Sequence, residues 1–175
     1  MRRRQPLPQL WLMTDERMGD RLWEALERLP AGGGVVFRHY ELPLADRRAL
    51  FARVAKVARR KRLILLRAGP HELGRGEAGT HGTNRRRHGL HTRAVHSRRE
   101  AVAAIRAGAD AIFVSPVFAT RSHPGAKALG PTRFGLLVRD LDTPVIALGG
   151  MNARRASVLW QIGVYGWAAI DAWSE

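Results

Sequence analysis

Residues 90–115 read LHTRAVHSRREAVAAIRAGADAIFVS, and they decide the fold. Leu90 to His96 alternates as a strand does, with Thr92, Ala94 and His96 sharing a face that suits the inside of a barrel. Ser97 with Glu100 three residues later forms a capping box for a helix over 98–107. Gly108 ends that helix, and Ala111 to Ser115 returns as a buried strand stopped by Pro116. This is one complete strand–helix–strand unit, which implies a parallel pair with a crossover.

The same alternation extends both ways. Upstream lie apolar runs at 10–14, 35–40 and 63–66, separated by helical patterns at 18–29 and 44–60. In the second helix Leu50, Val54 and Val57 face inward and the arginines outward. A weak strand is expected near 79–82, inside an irregular, glycine-rich stretch. Downstream come a helix near 132–139, a strand at 144–148, a helix capped by Asn152 and a last strand at 166–170. Eight candidate strands and about six helices predict an α/β fold, a compact (β/α)8 TIM barrel over residues 1–175 as a single domain. An open doubly wound sheet is the competing architecture.

The chain has 175 residues, 45% hydrophobic and 26% charged, an ordinary globular composition that excludes collagen-like, coiled-coil and wholly disordered classes. No apolar run is long enough to span a membrane, and the opening MRRRQPLPQLWLMTDE reaches Asp15 too soon for a secretory signal. The absence of cysteine excludes disulfides and thiol catalysis. A soluble, cytoplasmic protein is expected.

The formal charge is +15, from 30 basic and 15 acidic residues, and every basic residue except Lys56, Lys61 and Lys127 is arginine. Such a field attracts anions, though an arginine-favouring codon bias explains it equally. Nucleic acid is not an expected partner, because the aromatic content of 7% offers few stacking platforms and no binding motif occurs.

In a barrel the ligand sits at the C-terminal ends of the strands, with phosphate often after strands 7 and 8. Gly149 and Gly150, followed by a helix start at Asn152, let backbone amides approach an anion. The loop after Val114 crowds Thr120, Arg121, Ser122, His123 and Lys127 together, and hydroxyls with cations suit a phosphate. His81, His88 and His91 lie close in sequence but lack accompanying carboxylates, so no metal site is expected there. His39 is expected to face the helices.

The pieces MTD at 13–15, VVFRHY at 35–40, AVHSRREA at 94–101, GADAIFVSPVFATRSHPGAKALG at 108–130, PVIALGG at 144–150 and GVYGWAAIDA at 163–172 occur in a telling order. In that order and spacing they resemble the thiamine phosphate synthase superfamily, which includes the thiazole tautomerases called TenI. The resemblance implies a (β/α)8 barrel of thiamine biosynthesis that binds phosphorylated thiazole and pyrimidine ligands. The synthases join the two and release pyrophosphate with the help of Mg²⁺.

Residue by residue, the resemblance is incomplete. Of the family's Gln-x-Arg-x-Lys after strand 2, only Arg38 remains, between Val36 and Tyr40. The metal-binding aspartates after strands 3 and 4 have no counterpart in Leu66-Arg67-Ala68 or in residues 81–86. The family serine of strand 5 falls on Ala94, and Thr-x-Thr-Lys becomes Thr120, Arg121, Ser122 and His123. The glycine pair is intact. No cofactor is therefore expected, and Arg38, Arg67 and Arg86 would supply positive charge where the metal and pyrophosphate lie. Thr120, Ser122, His123, Arg38, Gly149 and Gly150 would bind the substrate phosphate. His96 matches the histidine of the tautomerase branch, so it is the candidate catalytic residue. Transferase, tautomerase and non-catalytic binder all stay open at this point, as does homo-oligomerisation.

Overall fold

The computed structural model describes residues 6–83, 89–120, 125 and 127–173. Eight parallel strands close in sequence order into a barrel, β1 to β8, with β8 pairing back to β1. The strands are β1 Leu10–Met13, β2 Gly34–Phe37, β3 Ile64–Ala68, β4 Gly79–His81, β5 Leu90–Val95, β6 Ala111–Val114, β7 Val145–Leu148 and β8 Gly166–Ala169. The helices are α1 Arg21–Arg28, α2 Leu44–Lys61, α3 Arg98–Arg106, α4 Gly130–Val138 and α5 Ala153–Trp160. Short 3-10 turns follow β1 at Glu16–Met18 and β8 at Asp171–Trp173. No described helix is long and apolar enough to cross a membrane.

Large rings meet across the barrel axis. Trp11 of β1 and Phe113 of β6 stand edge to face with centroids 5.2 Å apart, and His81 of β4 meets the same Phe113 at 4.9 Å. These strands are not neighbours, so the contacts pass through the interior. Gly34 of β2 leaves room for the indole, since a Cβ there would lie 2.2 Å from the Trp11 ring. The residues alternate with an outer layer, where Phe37 meets Phe51 of α2 at 5.3 Å. Removing a buried ring of this kind costs about 3–5 kcal/mol.

The expected capping box is present in part. The Ser97 hydroxyl accepts from the Glu100 amide, but the Glu100 carboxylate reaches the His96 amide and the Ser97 hydroxyl instead of the Ser97 amide. Asn152 caps α5 as expected, accepting from the Arg155 amide.

The barrel departs from the standard plan around β4. Among the described residues no helix lies between β3 and β5, and residues 69–78 join β3 to β4 without one. Proline and glycine in this stretch disfavour helix. The short connection over 69–78 suffices because β4 has three residues, so the return path is only about 10 Å. With no helix among the described residues to cover them, the outward side chains are polar and in register: Arg67, Thr80 and His91. The Arg67 Nε donates to Glu77 at 2.6 Å and its Nη1 to the Gly69 carbonyl at 2.6 Å. Thr80 Oγ1 and His91 Nδ1 lie 3.3 Å apart, and the His91 amide donates to Asp110.

Two expectations are corrected here. Arg67 does not supply charge to the mouth: it pairs in register with Phe37 on the outer face, where it is fully buried. The arginines of α2 are not all outside either. Arg47 is buried and donates to the Arg38 carbonyl, through Nε at 3.0 Å and Nη2 at 2.6 Å, and to the Ala68 carbonyl at 2.7 Å. One side chain thus staples the ends of β2 and β3.

Candidate functional site at the barrel mouth

A cavity of about 340 Å³ opens at the C-terminal ends of the strands. Its wall includes Arg38 after β2, His96 after β5, Ser115, Pro116 and Thr120 after β6, Gly149 to Asn152 after β7, Arg155 of α5, and Asp171 after β8. The sequence candidates Arg38, His96, Thr120, Gly149 and Gly150 therefore share one space. Ser122, His123, Arg121 and Arg86 lie outside the described residues.

The turn after β7 is held open by its glycines. Gly149 and Gly150 have φ of +95° and +59°. A Cβ on Gly149 would come within 2.7 Å of the Pro116 Cα, and one on Gly150 within 2.4 Å of the Ala119 carbonyl oxygen. The β6 loop is zipped to this turn by the Val117 amide on the Leu148 carbonyl at 2.9 Å and the Phe118 amide on the Gly149 carbonyl at 3.1 Å. Arg155 donates to the Gly150 carbonyl and lies over the Phe118 ring at 5.0 Å. The result is a rigid turn leading into a helix N-terminus, where amides and the dipole favour an anion.

His96 is set by its neighbours. Its Nδ1 is 2.7 Å from the Ser115 carbonyl, an acceptor, so Nδ1 carries the proton. In the neutral ring Nε2 then holds the lone pair.

On the opposite rim, Arg38 is fixed from three sides. Its amide donates to the Thr14 hydroxyl at 3.0 Å, its Nε to the Thr14 carbonyl at 2.7 Å, and its Nη2 to Asp15 at 2.7 Å. Asp15 also accepts from the Nε of Arg17 at 2.7 Å. Burial acts to raise the Asp15 carboxyl, but the Arg17 hydrogen bonds and the charges of Arg38 and Arg17 prevail and hold it below its ordinary value. Asp15, Arg47 and Asp171 escaped sequence reasoning as site residues. Asp15 and Asp171 do fall within the segments 13–15 and 163–172 that carry the family resemblance, which marked those stretches without giving either carboxylate a role.

Two histidines lie beside the site. His39 is buried, stacks on Phe37 at 4.9 Å and shares a 2.9 Å hydrogen bond with Thr14; it sits on the helix side, as expected. Burial lowers its pKa. His81, inside the barrel and 2.8 Å from the Thr92 hydroxyl, is pushed down to about 3 chiefly by burial. It is neutral.

The magnesium that the resemblance implies needs carboxylates. The ends of β3 and β4 present Ala68 and His81-Gly82-Thr83. Asp15 is taken up by two arginines, and among the described residues no three His, Asp or Glu side chains converge. These residues do not fit such an ion.

Comparison with known proteins places the chain. The family model described as thiamine monophosphate synthase matches residues 84–173, just over half of the chain. A putative thiamine-phosphate synthase 2 of Aquifex aeolicus is 37% identical over 81 residues, 46% of this chain and 44% of the relative. The thiamine-phosphate synthase of Salinispora tropica is 40% identical over 76 residues, 43% of this chain and 36% of its own. The matched segment thus spans less than half the length of either relative. A solved structure of thiamine phosphate pyrophosphorylase from Pyrococcus furiosus superposes with a TM-score of 0.76 at 22% identity, covering 95% of this chain and 86% of its own, a likeness of fold. The matched half carries β5 to β8, the His96 ring and the glycine turn, and by that match the chain belongs to the thiamine monophosphate synthase family.

Proposed function

We propose that the mouth binds a phosphorylated thiazole, with its phosphate on the Gly149–Gly150 turn at the start of α5, as a step of thiamine biosynthesis. One observation carries this reading: a single cavity joins that turn to Arg38 and His96. Close backbone approach and a helix N-terminus recognise a phosphate, and a guanidinium adds a planar cation. The cavity is at the small end of the range for ligand sites, which suits one heterocycle with its phosphate. The family relationship supplies the ligand class.

Calorimetric titration with thiazole phosphate and with thiamine phosphate, each in Mg²⁺ and in EDTA, tests the reading. Binding of equal strength in both media is expected. Absence of binding in both refutes it, and binding only with Mg²⁺ refutes the metal-free site.

The geometry of His96 favours a second reading, metal-independent proton transfer of the tautomerase kind. Nδ1 is committed to the Ser115 carbonyl, so Nε2 is the base. It would take a proton from one carbon of the ligand and the resulting imidazolium would return it to another, with no net change in composition. Incorporation of deuterium from solvent at the carbon that gains the proton in a carboxylated thiazole phosphate, followed by NMR, should vanish in His96→Gln while affinity persists. Incorporation that survives the substitution excludes His96. Binding without incorporation in the unaltered protein would identify a non-catalytic binder.

A further inference from the structure

We infer that Asp15 is a positioning residue: it fixes the Arg38 guanidinium on the cavity wall as a standing cation where a metal ion does not fit. The inference rests on the ligand reading above. Arg38 has five N–H groups. Nε is used by the Thr14 carbonyl and one Nη2 proton by Asp15, both at 2.7 Å, which leaves three donors on a side chain that lines the cavity. Without Asp15 the planar guanidinium would be held at Nε alone and could swing as a unit about the side-chain bonds that carry it.

The local charge agrees with this role. Asp15 stands between Arg17 and Arg38, so one carboxylate is shared by two guanidiniums, and Glu16 and Asp171 also act on Arg17. Glu16 is turned to the Glu41 amide at 3.0 Å. Asp171 stands on the same cavity wall, on the β8 side. Behind the cluster, the two bonds from Arg47 to the Arg38 carbonyl hold the main chain. Main chain and side chain of Arg38 are therefore both set before a ligand arrives, and a donor that is already ordered binds an anion more tightly than a mobile one.

A double-substitution cycle tests this with thiazole phosphate as the probe. Asp15→Asn should weaken binding about tenfold, the effect of one freed side chain. In an Arg38→Met background the same change should have no effect, because Asp15 acts only through Arg38. A general loss of structure would weaken binding in both backgrounds and would show in the melting temperature. Unchanged affinity in Asp15→Asn, or a full penalty in both backgrounds, overturns the inference while leaving the ligand reading intact. Should Asp15→Asn fail to fold, Asp15→Ser in the same cycle is judged by the same criterion.

A ligand-free measurement stands beside the cycle. NMR signals of the Arg38 side-chain N–H groups should be resolved and slowly exchanging in the unaltered protein and averaged in Asp15→Asn. If the protein binds no thiazole phosphate, the ligand reading falls, and these signals alone decide whether Asp15 fixes the guanidinium. Signals identical in both proteins overturn the inference.

Discussion

Glu77→Gln should destabilise the barrel far more than its loop position suggests. Arg67 has a side-chain exposure of 0% and Glu77 of 26%, and they meet at 2.6 Å. The guanidinium has one further bond, to the Gly69 carbonyl, and its Nη2 is buried without a partner. Replacing the carboxylate by an amide strands a buried charge. Breaking such a pair costs about 3–5 kcal/mol when both partners are buried; water reaches Glu77, so about 2–3 kcal/mol is expected. At this chain length each kcal/mol moves the midpoint by about 2–4 °C, so thermal unfolding followed by circular dichroism should shift down by about 5–10 °C. Replacing both partners, Arg67→Met with Glu77→Leu, should recover most of the loss, because it removes the stranded charge as well as the pair. A shift below about 1 °C in Glu77→Gln, or a double variant no more stable than the single one, would refute the reasoning.

Further outcomes follow from the same geometry. Gly149→Ala puts a Cβ 2.7 Å from the Pro116 Cα at a φ of +95°, so phosphate-ligand affinity should fall at least tenfold by calorimetry, the turn having to move. Gly34→Ala drives a methyl into the Trp11 ring at 2.2 Å; overpacking of this kind costs about 1–3 kcal/mol, read as a lowered urea midpoint with an unchanged slope. Acid sensitivity should come in part from His81, whose folded pKa is about 3. Its unfolded value is about 6.5, so below that pH the unfolded chain binds a proton that the folded protein refuses. Stability is then full above pH 6.5 and falls toward pH 3 at up to about 1.4 kcal/mol per pH unit. His39, also lowered by burial, adds in the same direction. His81→Gln should flatten the slope of stability against pH over this window.

Most of the strands were legible because they are short apolar or alternating runs bounded by glycine, proline or a capping residue, and those signals are local. Even the weak strand at Gly79–His81 appears where glycine and threonine hinted at it. The glycine turn and His96 were legible because a closed parallel barrel fixes which strand ends share a mouth. What failed was facing. Residues 63–66 are uniformly apolar, so nothing local told which way Arg67 points, and only pairing with Phe37 settles it. Arg47 was read as solvated because one helix face was already rich in arginine. Its burial depends on two carbonyls from distant strands, Arg38 and Ala68, that no helical periodicity encodes. The helix-free connection from β3 to β4 lies where the sequence offered only an irregular, glycine-rich stretch, and a three-residue strand needs only a short return.

That short return also makes the chain easy to re-thread. The helix-free span over 69–78 is largely exposed at Gly74 and Arg75, so new termini there would interrupt no helix and no ladder bond. The first and last strands are adjacent, since Tyr165 donates to the Leu7 carbonyl at 2.7 Å and β8 lies beside β1. A circular permutant opened between Gly74 and Arg75, with a linker joining the segment after β8 to the segment before β1, keeps all eight strand pairings. It would begin with β4 and end with β3, so the two strand pairs now made by the shortest loops would be tested one at a time for their part in closing the ring.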